Sequence, residues 1–144
     1  MWYLDSGASH HITNNANAFF VKHPYIGHET VQLGNGIGMN IKVVGSPLNN
    51  SNKFLLKYLL HVPKINKKLL SVSKFCHDNN IFFEFHYNAC YVKNQVRQQT
   101  ILKENLKDGL YVFEIFLKHS LYNAMQTLLL LILLSLLLNF GTHA

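Results

Sequence analysis

WYLDSGASHHIT, residues 2–13, stands almost at the start of the chain and decides how the rest is read. Trp2, Tyr3 and Leu4 make a short apolar run that ends in an aspartate, followed at once by Ser6, Gly7 and Ala8. A carboxylate delivered by a buried strand costs desolvation free energy unless it is capped, hydrogen-bonded or used chemically. Asp, Ser and Gly all favour tight turns, so a plain turn after Leu4 accounts for the tripeptide by itself. The competing reading is peptide hydrolysis by paired aspartates. Two carboxylates about 3 Å apart cannot both ionise, so they share a proton and split into one low and one raised macroscopic pKa. The ionised member takes a proton from a bound water, while the protonated member bonds to the scissile carbonyl oxygen as charge grows there. Loops that close need small neighbours, which gives Gly7 and Ala8 a physical reason. The Ser6 hydroxyl can then bond across to the opposite loop.

Outward from this turn the chain reads as short strands. ETVQLGNG (29–36) alternates apolar and polar residues with Val31 and Leu33 on one face, and breaks at Gly34-Asn35-Gly36. Asn-Gly is a two-residue hairpin signal. GMNIKVVG (38–45) resumes with Met39, Ile41 and Val43 on one face, so both arms of a hairpin are visible. Pro47 and NNSN (49–52) mark a second turn, and KFLLKYLLHV (53–62) reads as a strand that stops at Pro63. KKLLSVSKFCHDNN (67–80) is the helix candidate, with Leu69, Val72 and Cys76, and Leu70 and Phe75, at helical spacings and two asparagines closing it. IFFEFH, ACYVK, TILK and GLYVFEIF follow, punctuated by Asn88, Asn94 and Asp108-Gly109. Strands about every ten residues with one short helix predict a mainly β domain, a small barrel or a folded-over sheet.

The 144 residues suffice for one domain. Thirteen Lys and Arg against seven Asp and Glu give a net charge of +6, but the basic residues are scattered. Only Lys64, Lys67 and Lys68 cluster, as a solvated loop would, so no specific nucleic-acid site is expected. Cys76 and Cys90 have no metal or redox spacing and read as reduced thiols, placing the protein inside the cell, in the cytoplasm. His10 and His11 are adjacent, so on an extended chain they point to opposite sides; with no third ligand suitably spaced, neither a metal nor a cofactor is expected. Tyr (7) and Phe (10) fall at strand positions, where core packing explains them.

The end of the chain differs in kind. TLLLLILLSLLLNF (127–140) is almost pure leucine, and its dense part, Leu128 to Leu138, falls short of the ~20 residues that span a bilayer. Extended back to Leu121 it reaches about that length. A membrane helix through Leu121–Phe140 and sequence read past a damaged coding region are the two readings. The organisation expected is a β domain over 1–117 and a Leu-rich tail over 118–144.

The paired-aspartate reading makes a sharp demand. The chain has three aspartates, and Asp78 (in HDNN) and Asp108 (in KDG) lie in ordinary polar turns. Asp5 alone follows an apolar strand and precedes Ser-Gly-Ala. One chain cannot supply the pair, so the enzyme must be a symmetric homodimer with one Asp5 from each subunit.

WYLDSGASHHIT resembles the protease segment of copia-type LTR retrotransposon Pol polyproteins, in which a Trp precedes Asp-Ser-Gly-Ala and a His-Ile/Met-Thr follows. The likeness continues in order through VQLGNG, IKVVGS, LLHVPKINKKLLSVSKFC, IFFEFH and DGLYVFEI, about residues 2–116. The resemblance implies an aspartic endopeptidase with a small retropepsin-like closed barrel and one short helix, acting as a homodimer on its own polyprotein. Carried over by position, Asp5 is the catalytic aspartate, with Ser6, Gly7 and Ala8 supporting its loop. The hairpin turn at Gly34, Asn35 and Gly36, running on to Gly38, is then a candidate flap closing over substrate.

Two departures stand beside the likeness. In retroviral relatives a second signature, two apolar residues and a Gly ahead of the C-terminal helix, supports the active site, whereas Ser71 follows Leu69 and Leu70 here and stands where that Gly would be. A zinc knuckle, a His/Cys zinc segment and an integrase accompany the family's protease, and the 144 residues hold none of these, as an isolated fragment of a decayed element would. Two other functions therefore compete with the peptidase: a non-catalytic barrel binding peptides along an open edge, and a small membrane-anchored protein.

Overall fold

The computed structural model describes residues 1–47, 53–114 and 119–140. The strands are β1 (Trp2–Asp5), β2 (His11–Thr13), β3 (Phe19–Pro24), β4 (Thr30–Gln32), β5 (Gly38–Asn40), β6 (Val43–Pro47), β7 (Leu59–His61) and β8 (Leu69–Ser71). Helix α1 (Val72–Asn79) follows, then β9 (Ile81–Phe85), β10 (Ala89–Asn94), β11 (Thr100–Lys107), β12 (Leu110–Phe113) and helix α2 (His119–Phe140). The fold is mainly β with one short helix in the core, as the strand spacing predicts.

Ten strands form one sheet in the order β3-β6-β7-β2-β8-β1-β12-β11-β10-β9, and β4 and β5 make a separate hairpin. β1 runs parallel to β8 and antiparallel to β12, and β2 runs parallel to β7. Parallel neighbours require long crossovers, so residues remote in sequence meet. Asp5 is paired with Ser71, and Thr13 with His61.

The sheet turns in on itself. Phe19 of β3 and Ile81 of β9, on its two outermost strands, share one apolar cluster with Trp2, Leu59, Leu70, Phe75 and Phe113. Phe75 is fully buried there, edge-on to Phe113 at 5.6 Å and stacked on Phe83 at 6.1 Å. Leu60 neighbours Leu59 on β7 and so faces the other way. With Ile12, Val62 and Ile65 it forms a second cluster, against which Val31, Met39 and Ile41 of the hairpin region pack.

Helix α1 begins later than its periodicity suggests. Leu69–Ser71 is strand, and Ser71 caps the helix by accepting the Lys74 N–H at 3.4 Å. Leucines at 69 and 70 satisfy either period, and the serine decides where the helix starts. Asn80, in the left-handed conformation (φ 53), ends it with its N–H on the Cys76 carbonyl, the asparagine stop read in the sequence. Of residues 53–62 only Leu59–His61 is strand. Leu55 is instead held by the Asn79 side chain, which accepts its N–H at 2.6 Å and donates to its carbonyl at 2.9 Å. Asp108-Gly109 makes a two-residue turn with both φ positive (51 and 74), matching the twist of the strands it joins.

Lys64 and Lys67 are exposed as expected, though the Lys67 and Lys68 ammonium groups lie over the rings of Tyr3 (4.6 Å) and Trp2 (5.4 Å). The expected turn at 49–52 and the expected boundary at 117/118 lie outside the described residues. Leu128 to Leu134 and Leu136 to Leu138 of α2 are exposed. Among the described residues no helix is long and apolar enough to cross a membrane.

Candidate active site at the Asp5 turn

β1 lies inside the sheet between β8 and β12, and its last residue is Asp5. The aspartate is half-buried, and its Oδ1 accepts the Gly7 N–H at 2.8 Å, which closes the turn on itself. Ser6 and Gly7 are exposed and Ala8 is half-buried. Gly7 does not belong to the glycines of positive φ, which among the described residues are Gly36 and Gly109. A Cβ at Gly7 would meet Asp5 Oδ1 at 3.4 Å, an ordinary contact. Neither conformation nor space within one chain therefore calls for glycine there.

Beneath the turn sits a buried polar junction. The Ser71 hydroxyl donates to the Ala8 carbonyl at 2.6 Å, and the Ser71 N–H donates to His11 Nδ1 at 3.1 Å. His11 is wholly buried and edge-on to Phe75 at 6.3 Å. Because Nδ1 accepts, the ring proton is on Nε2. Burial, aided by the Lys74 charge, pushes its pKa down to about 4. His10 points elsewhere, as adjacency on an extended chain requires: it is half-buried, with Nδ1 2.9 Å from Ser9 Oγ and its ring 6.2 Å from Tyr58. Its pKa is lowered by burial first and by Lys74 second.

A cleft of about 480 Å³ opens over the turn, within the range of small-molecule and peptide sites. Asp5, Gly7 and Ala8 border it, Ile12, Leu60 and Leu69 give it an apolar wall, and Tyr25, Glu29, Val31 and Gly34 bound it from the hairpin side. Glu29 accepts from the Tyr25 hydroxyl at 3.3 Å. Gly34 of the candidate flap thus shares the cleft with Asp5, while Asn35 and Gly36 stand at the hairpin tip outside the lining.

The tip is built differently from a two-residue loop. Pairing ends at Gln32–Gly38, the Gly36 N–H closes a turn on the Leu33 carbonyl at 2.9 Å, and Asn35 Oδ1 accepts the Ile37 N–H at 3.0 Å. Gly36 takes the left-handed conformation (φ 80), and nothing lies within 4 Å of where a Cβ would stand at Gly34 or Gly36. The hairpin is fixed at its base by the Val31–Met39 pair and open at its tip.

The other aspartates are elsewhere. Asp78 lies on α1, 3.2 Å from His77 and 3.9 Å from Lys57, and Asp108 lies in the β11–β12 turn. Among the described residues no three His, Cys, Asp or Glu side chains are grouped as a metal site. Sequence reasoning misses His11 as a neighbour of the Asp5 turn, and marks Ser71 only as the residue standing where the resemblance has a Gly that supports the active site. A serine immediately before an apolar helical stretch is a second local signal for it, an N-cap pattern.

A family model described as Pol polyprotein, beta-barrel domain, matches residues 2–81. The retrovirus-related Pol polyproteins from transposons RE2 and RE1 of Arabidopsis thaliana are 37% and 35% identical to this chain over 116 residues. That stretch is 79% of this chain and 8% of either relative, so the chain spans under a tenth of the curated relatives it matches. No solved structure matches it.

Proposed function

This chain belongs to the Pol polyprotein β-barrel domain family, and on that premise we propose that it is the aspartic endopeptidase unit of a copia-type retrotransposon polyprotein. The observation that carries this reading is the Asp5 turn: a half-buried carboxylate at the end of a central strand, bordering a cleft, on a loop whose exposed Gly7 is required neither by its φ nor by lack of room within one chain. The small side chain gains a use when a second, identical loop approaches. Two Asp5 carboxylates, one from each subunit of a homodimer, share a proton; one activates the water and the other polarises the scissile carbonyl. Ser6, Gly7 and Ala8 permit the approach, and the hairpin with Gly34, Asn35 and Gly36 at its turn closes over a peptide and excludes water. The substrate is a peptide segment, in the first instance of the parent polyprotein. The free thiols Cys76 and Cys90 agree with work inside the cell.

The test is cleavage of a mixed peptide library between about pH 4 and 7 by the full chain and by Asp5→Asn, with molecular mass measured alongside. Dimers that cleave, and a variant slower by at least about a hundredfold, are the expected result. A folded monomer without activity across that range would leave the non-catalytic barrel as the description.

A further inference from the structure

Ser71 is fully buried where β8 ends, α1 begins and the Asp5 turn passes. Its hydroxyl caps α1 through the Lys74 N–H, with the Ser73 hydroxyl 3.5 Å away. A cap needs nothing more. The same hydroxyl also donates to the Ala8 carbonyl at 2.6 Å, a bond between residues 63 positions apart that ties the turn to the body of the fold. Its own N–H sits where strand pairing ends, and the first N–H groups of a helix have no intrahelical acceptor. His11 supplies one from a wholly buried ring at 3.1 Å.

We infer that Ser71, seated by His11, is the positioning residue of the Asp5 turn. The Asp5–Gly7 bond closes the turn locally but does not orient it, because Ser6 and Gly7 face solvent. Orientation comes from the Ala8 carbonyl held on the Ser71 hydroxyl. Without that bond the carbonyl loses its partner and the turn is free to swing. Its catalytic consequence rests on the aspartic-protease reading, since a swing of about 1 Å is enough to spoil two carboxylates that must lie about 3 Å apart; the positioning itself does not.

The seat is built to survive acid. Lys74 and Asp78 face His11 from α1 with opposite effects, His10 adjoins it in the chain, and Leu59 lies opposite on β7. Burial and Lys74 prevail, so Nδ1 keeps its lone pair for the Ser71 N–H through the mildly acid range in which an aspartate pair works.

The experiment compares the full chain with Ser71→Ala, Ser71→Thr, His11→Gln and Asp5→Asn. Amide hydrogen exchange is read over residues 6–10 and, as a control, over β10 and β11. Ser71→Ala is expected to speed exchange in 6–10 by roughly tenfold with the control unchanged, and Ser71→Thr, which keeps the hydroxyl, to restore it. Unchanged exchange in Ser71→Ala, or no restoration by Thr, overturns the inference. Where peptidase activity is present, Ser71→Ala is expected to lower kcat with KM nearly unchanged, and Ser71→Thr to recover it; a loss confined to KM counts against positioning. Absence of Asp5-dependent cleavage sinks the protease reading while exchange still decides the positioning. Should Ser71→Ala not fold, nitrogen NMR of His11 in the unaltered chain at about pH 7 decides: a neutral ring protonated on Nε2 with Nδ1 bare is expected, and a neutral ring protonated on Nδ1 overturns it.

Discussion

His11 titrates differently in the folded and unfolded chain, and the sign of the consequence follows. Its pKa is pushed from 6.5 down to about 4 on folding. Between those values the unfolded chain binds more protons, so stability falls as pH drops from about 6.5 to about 4 and levels off below. At most about 3 kcal/mol is involved. His11→Gln retains an acceptor without the titration, and urea midpoints taken across that range should show a flatter pH dependence than the parent protein. Phe75 makes a second case at this scale. It touches Phe54, Phe83 and Phe113 with no exposure, and Phe75→Ala should cost about 3–5 kcal/mol by denaturant unfolding. Asp5 could be singled out from sequence because its neighbours in the chain are the unusual ones. The bond that joins Ser71 to His11 could not, because it spans 60 positions.

Among the elements, the hairpins show which local signals suffice. Asp108-Gly109 forms the turn that its composition predicts, and the arms of β4 and β5 pair with Val31 against Met39. The Asn35-Gly36 pair, by contrast, sits at the end of a longer loop, because Leu33 and Ile37 close a turn around it. Gly36→Ala must hold a positive φ and should lose about 1 kcal/mol, whereas Gly34→Ala, with open space around it, should unfold at the same temperature as the parent. Gly45 is constrained by a neighbour instead. A Cβ there would overlap the Val21 carbonyl at the irregularity between β3 and β6, so Gly45→Ala should lower stability by about 1–3 kcal/mol or release β3. Calorimetry separates the three. No local pattern around Gly45 reveals this, since the close approach comes from another strand.

For the whole molecule, the β domain and α2 obey different physics. The domain buries Trp2, Phe19, Phe54, Phe75 and Phe113 in one apolar cluster within its rolled sheet, while the leucines from 128 to 138 are exposed around a helix with no polar face. A helix apolar all round requires cover. Deleting 119–144 should leave the thermal midpoint of the β domain within about 2 °C and should reduce self-association or detergent binding seen by sedimentation.

Sequence by itself determined the fold class, the family likeness and the one aspartate that follows an apolar strand and precedes Ser-Gly-Ala. These rest on periodicity, composition and motif, which are local or additive along the chain. Tertiary structure alone decided that Ser71 lies under the Asp5 turn, that His11 is a buried acceptor while His10 reaches the cleft wall, and that Gly34 shares the cleft with Asp5. The first depends on the parallel pairing of β1 with β8, closed by a long crossover whose destination no short stretch of residues encodes, and the others on packing between segments far apart in the chain.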